Sequence, residues 1–168
     1  MAGHGGFRTL DGGVIESFGG PGLFWYAERA FADFTLSVEW RLHDLDDNSG
    51  IVLRCPPPGD EPQPAIDEGY EVQIDDRGFD PQSRSTGSPL HLTGAVYTLA
   101  PAAPHSNPVG MWNAFEVCAE GPSITVALNG HATSRLEHGT RRRSGHIGLQ
   151  AHHRGSAVQF RNLSINLH

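Results

Sequence analysis

From Phe34 to Leu42 apolar and polar residues alternate without a break. Phe34, Leu36, Val38, Trp40 and Leu42 fall on one side, with Thr35, Ser37, Glu39 and Arg41 on the other. Side chains on a strand point alternately to opposite faces, so a period of two predicts a half-buried strand. The segment Trp112–Glu120 repeats the pattern, setting Asn113, Phe115, Val117 and Ala119 against Trp112, Ala114, Glu116 and Cys118. Shorter strands are predicted at Leu23–Tyr26, at Ile51–Cys55 with Val52 and Arg54 on one side, at Thr93–Tyr97, and near the C-terminus at 146–152 and 157–167. Asp11-Gly12-Gly13, Gly19-Gly20-Pro21-Gly22 and Gly121-Pro122 supply turns. Asn129-Gly130 specifies a type I′ hairpin joining Ser123–Leu128 to His131–Leu136. No stretch sustains a helical period. The prolines at 56, 57, 58, 62 and 64 make residues 56–68 a long irregular loop. Many short strands with frequent turns predict an all-β, two-sheet antiparallel sandwich.

One strand carries an unusual polar row. In Gly69-Tyr70-Glu71-Val72-Gln73-Ile74-Asp75-Asp76 the alternation sends Glu71, Gln73 and Asp75 to one face, about 6.5 Å apart from one to the next. Neighbouring carboxylates raise each other's proton affinity, which is one way to make a general acid or base. The alternative is an outer sheet face turned to water, which is polar by default.

Composition narrows the class. The chain has 168 residues, with 21 Gly and 12 Pro, a balance that suits strands and tight turns in a single domain spanning 1–168. Residues 1–6, rich in glycine, are expected to be poorly ordered. A net charge of -7 argues against a nucleic-acid partner. No basic-then-apolar run opens the chain and no stretch is long and apolar enough to span a membrane, so the expected location is cytoplasmic. Cys55 and Cys118 stand in no metal-ligand spacing and are read as free thiols. Oligomeric state is not legible. Of the ten histidines, His43, His91, His105, His131 and His138 are read as surface residues.

Several segments in order resemble the 3-keto-disaccharide hydrolase family, whose fold is a concanavalin-like jelly roll. They are Asp33–Arg41, Asn48–Arg54, Gly69–Ile74, Thr93–Tyr97, Trp112-Asn113, Leu128-Asn129-Gly130, Gly145–Gln150 and Val158–Leu163. The resemblance implies a groove on one sheet face, with Glu39, Arg41, Arg54, Glu71, Gln73 and Asp75 lining it and His152 at its rim. It also implies Glu71, Asp75, Arg54 and His152 as catalytic candidates, with Glu39, Arg41, Asn48, Gln73 and Tyr97 binding substrate. Where the family commonly carries an acidic residue before that histidine, this chain has Ala151.

The implied chemistry is base-assisted elimination and hydration of a 3-keto-glycoside, a hydrolase or lyase activity on a small sugar substrate. The ketone acidifies the C2 proton; Glu71 or Asp75 would remove it, Arg54 or a cation would hold the enolate, and His152 would act as acid or ligand. A divalent metal ion among Glu71, Asp75, His152 and His153 is the one candidate cofactor. Two other readings fit the same residues. One is a carbohydrate-binding module that only hydrogen-bonds hydroxyls, and the other a tailoring lyase or cyclase of small-molecule biosynthesis.

Overall fold

The computed structural model describes all residues, 1–168. In chain order the elements are β1 (Ala2–Gly3), β2 (Gly6–Thr9), β3 (Ile15–Phe18), β4 (Gly22–Trp25), β5 (Phe34–Leu42), β6 (Ser49–Cys55), the short helix α1 (Gln63–Glu68), β7 (Tyr70–Ile74), β8 (Asn113–Glu120), β9 (Ser123–Leu128), β10 (His131–Leu136), β11 (His146–Ala151) and β12 (Val158–Leu167). They form two antiparallel sheets, one ordered β1-β4-β11-β6-β7 and the other β10-β9-β8-β5-β12-β3-β2. Phe34, Leu36, Val38, Trp40 and Leu42 of β5 meet Ile51, Leu53, Val72 and Ile74 of the five-stranded sheet, all within 2 % of full burial. The result is a concanavalin-like jelly-roll sandwich: the alternation predicts the two-sheet sandwich, and the resemblance implies the jelly roll. Asn129 and Gly130 take positive φ angles of 53° and 81°, the conformation a type I′ turn requires.

Four local expectations are corrected. Residues 1–6 are ordered, because β1 pairs with β4 and Gly3 N–H donates to Asp60 O at 2.7 Å. The proline-rich segment contains α1, since Pro62 and Pro64 stand at its first turn, where no amide donor is needed. Thr93–Tyr97 is no regular strand. It is an irregular run docked on the free edge of β7, with Tyr97 N–H donating to Glu71 O at 2.8 Å and Gln73 N–H to Ala95 O at 3.0 Å.

The fourth correction concerns Arg54. Val52 pairs with Glu71, so strict alternation would send Arg54 to the same outer face. The β6–β11 register shifts between the pairs His146–Cys55 and Gly148–Val52, and Arg54 takes a left-handed φ of 53° at that bulge. Its side chain is thereby turned away from Glu71. It is fully buried, donating from Nε to Ala32 O (2.8 Å), from Nη1 to Gly121 O (2.7 Å) and from Nη2 to Asp33 Oδ1 (3.1 Å). Arg54 therefore ties the five-stranded sheet to the start of β5 and the β8–β9 turn of the other sheet.

Candidate functional site

Glu71, Gln73 and Asp75 lie on the outer face of the five-stranded sheet, yet none faces bulk water: their exposures are 6 %, 4 % and 3 %. Helix α1 and residues 76–100 cover them. Pairing of β6 with β7 and of β11 with β6 sets Gln150, Gly50 and Gln73 in a row across this face. Gly50 leaves the room that Glu71 fills, since a Cβ there would stand 2.1 Å from Glu71 Oε1 and 2.7 Å from its Cγ. The Glu71 carboxyl therefore leans over the Gly50 backbone. Its Oε1 has no hydrogen-bond partner, and neither has Gln150 Oε1 on the neighbouring strand.

An unpartnered buried carboxylate is expensive, and the group answers by holding its proton. Burial pushes the Glu71 pKa up to about 8; Asp67 adds to the rise, while Arg141 and Gln150 oppose it. Glu71 opens into a hollow of about 290 Å³ that also takes in Asp67, His91, Tyr97 and Arg141. Tyr97 is held phenolic, its pKa raised first by burial and then by the Glu71 carboxylate. Arg141 donates from Nη1 to Gly69 O at 2.8 Å, leaving other guanidinium donors for the hollow.

His91 is not a surface residue. It is 8 % exposed, its Nδ1 lies 2.8 Å from Ser88 Oγ, and its ring meets the edge of Tyr97 at a centroid distance of 5.0 Å. Arg141 and His91 escape a reading from periodicity because both lie in irregular segments brought over β7 by the tertiary fold. Tyr97 is the substrate-binding candidate that does stand beside Glu71.

Gln73 stays on β7 between Glu71 and Asp75, and the remaining candidates lie elsewhere. Asp75, His152 and Asn48 line a second hollow of about 360 Å³ with Arg77, Phe79 and His153. Asp75 is occupied as a loop anchor: it accepts from the amides of Arg77 (2.9 Å), Gly78 (3.2 Å) and Phe79 (2.9 Å) and from Asn48 Nδ2 (3.3 Å). His152 Nδ1 sits 3.0 Å from His153 Nδ1 on an exposed turn. Glu71 and His152 thus line separate hollows, at opposite ends of the polar row.

No group of three or more His, Cys, Asp or Glu side chains converges in a geometry that could hold a metal ion, so Glu71, Asp75, His152 and His153 do not form the expected ligand set. Glu39 and Arg41 belong to the far face of the seven-stranded sheet. Arg161 and Asn162 bind Glu39 at 2.6 and 3.0 Å, Arg41 binds Gln159 at 2.6 Å, and Arg41 and Arg161 both stack on Trp112. Alternation fixes the two faces of a strand but not the sheet to which the strand belongs. A further hollow, about 560 Å³ on the flank of the sandwich, is lined by Phe24, Tyr26, Leu163, Ile165 and other mainly apolar residues, with Arg29 its one charged side chain.

Fold and site define a concanavalin-like sandwich with a small polar hollow on one sheet face, built around a buried carboxyl. The chain belongs to the 3-keto-alpha-glucoside-1,2-lyase-like domain family, which it matches over residues 2–166. Among solved structures it is similar to two candidate glycosyl hydrolases from Parabacteroides distasonis ATCC 8503. One is 20 % identical with a TM-score of 0.81, covering 97 % of this chain and 83 % of that one. The second is 23 % identical with a TM-score of 0.78, over 96 % and 90 %. The carbohydrate-binding module CBM66 from Bacillus subtilis shares the fold at 14 % identity and a TM-score of 0.65, over 97 % and 92 %. No curated protein matches the chain by sequence.

Proposed function

We propose that the protein is an enzyme that cleaves a 3-keto-glucoside by elimination, with Glu71 as the base. The observation that carries this is the Glu71 carboxyl: buried, without a partner on Oε1, and facing a hollow near the lower end of ordinary ligand pockets (~300 Å³). Family membership supplies the substrate class. A binding module needs donors and acceptors for hydroxyls; it has no use for a carboxyl left costly and unpaired.

The C3 ketone makes the C2 hydrogen acidic. Glu71 takes that proton, the electron pair moves toward the ketone oxygen, and the bond from C1 to its leaving oxygen breaks as the C1–C2 double bond forms. A base with a pKa near 8 is stronger than an ordinary carboxylate and still about one-tenth ionised at pH 7. The guanidinium of Arg141 stands in the hollow for the charge that develops on the ketone oxygen, the role the sequence suggests for Arg54. The Tyr97 hydroxyl is a second donor there. Water adding at C1 of the enone then completes a net hydrolysis.

Turnover of a 3-keto-α-glucoside in D₂O tests the route. The 3-keto-glucose released should carry deuterium at C2, because the proton taken by Glu71 is replaced from solvent or from an exchanged carboxyl. Product wholly protonated at C2, together with no slowing of a C2-deuterated substrate, would rule out elimination in favour of direct displacement at C1.

A further inference from the structure

We propose that His91 is the general acid of this site, protonating the leaving oxygen while Glu71 removes the C2 proton. The inference rests on the elimination reading of the hollow and names a group that this reading leaves open. Three observations carry it. His91 lines the same hollow as Glu71, where it is held almost fully out of solvent. Its Nδ1 is engaged by Ser88 Oγ at 2.8 Å, so Nε2 is the ring nitrogen left to exchange a proton with a ligand. Asp80 Oδ1 stands 4.0 Å from that Nε2, too far for a direct hydrogen bond, so its carboxylate faces the ring while the Nε2 proton stays free for a ligand. Asp80 itself is kept ionised by hydrogen bonds from Ser83 Oγ and the Gln82 amide, both at 2.8 Å. The Tyr97 ring against the imidazole fixes its plane.

The protons balance. In the elimination Glu71 gains the C2 proton and His91 Nε2 gives one to the departing oxygen, leaving a neutral carboxylic acid and a neutral imidazole. In the hydration His91 takes a proton from the water that adds at C1, and Glu71 returns its proton to C2. The site is then back in its starting state, with no co-reactant beyond water.

Leaving-group dependence separates an acid from a merely structural histidine. An alkoxide leaving group needs protonation; a 4-nitrophenolate does not. The probes are methyl 3-keto-α-glucoside and 4-nitrophenyl 3-keto-α-glucoside, turned over by wild type, His91→Gln and Asp80→Asn. Read as kcat/KM for release of the leaving group, which precedes the hydration common to both substrates, His91→Gln should lose about 10²–10⁴-fold on the methyl glucoside and less than about tenfold on the nitrophenyl glucoside. Asp80→Asn should show the same selectivity at smaller size. Because each ratio is taken on one protein preparation, partial misfolding cancels. Equal losses on both substrates, or no loss on either, would overturn the assignment. Failure of the underlying reading looks different: Glu71→Gln would turn over one or both substrates at the wild-type rate, or wild type would be inert toward both.

Discussion

Glu71 is where the physical chemistry is concentrated. The carboxyl lies over a residue without a side chain, and nothing donates to Oε1. Its pKa of about 8 places its ionisation above neutrality. A base must be ionised to act, so kcat/KM on the 4-nitrophenyl glucoside, whose leaving group needs no acid, should rise about tenfold per pH unit below pH 8 and level off above it, a profile read directly from initial rates. A profile that falls over the same range would make Glu71 an acid. Alternation alone singled out Glu71, because a row of carboxylates on one strand face is visible in sequence. Arg141 and His91 were not visible: they arrive from 70 and 20 residues further along the chain, on segments without periodicity. Asp75 shared the pattern of Glu71 but not its environment, since backbone amides of the following turn satisfy it.

At the scale of elements, β6 and β7 carry the site, and one bulge decides which side chains enter it. Regular pairing keeps Gly50 and Val52 on the outer face; the shift opposite β11 sends Arg54 the other way. A single residue at positive φ is not legible in an apolar run such as Ile51–Cys55, because the strand pattern assumes none. Arg54 now reads as a structural tie, and that has a measurable consequence. Arg54→Met should cost about 2–4 kcal/mol in denaturant unfolding, from buried acceptors left unsatisfied, while kcat of the folded fraction stays near wild type. A large loss of kcat with stability unchanged would return Arg54 to the chemistry. The irregular Thr93–Tyr97 run shows the converse limit. Its residues look like a strand, but Gly94 at φ 88° turns it, and backbone bonds to β7 then bring Tyr97 beside Glu71.

Over the whole molecule, the sandwich was plain from the sequence because two-residue periodicity and turn chemistry are local. The assignment of strands to sheets is not local, and there the groove expected from sequence divides. Glu39 and Arg41 go to the far face of the seven-stranded sheet, and the polar row of β7 opens at its two ends into separate hollows. Only the Glu71 end joins an unsatisfied carboxyl to a cation, a phenol and an imidazole. No helix is long and apolar enough to cross a membrane. The central claim is that this hollow performs chemistry through Glu71, and binding and turnover of a 3-keto-α-glucoside by Glu71→Gln test it most directly. Affinity should remain within about tenfold of wild type while kcat falls by roughly 10²–10⁴. Wild-type turnover by Glu71→Gln, or a loss of affinity that accounts for the whole effect, would contradict it.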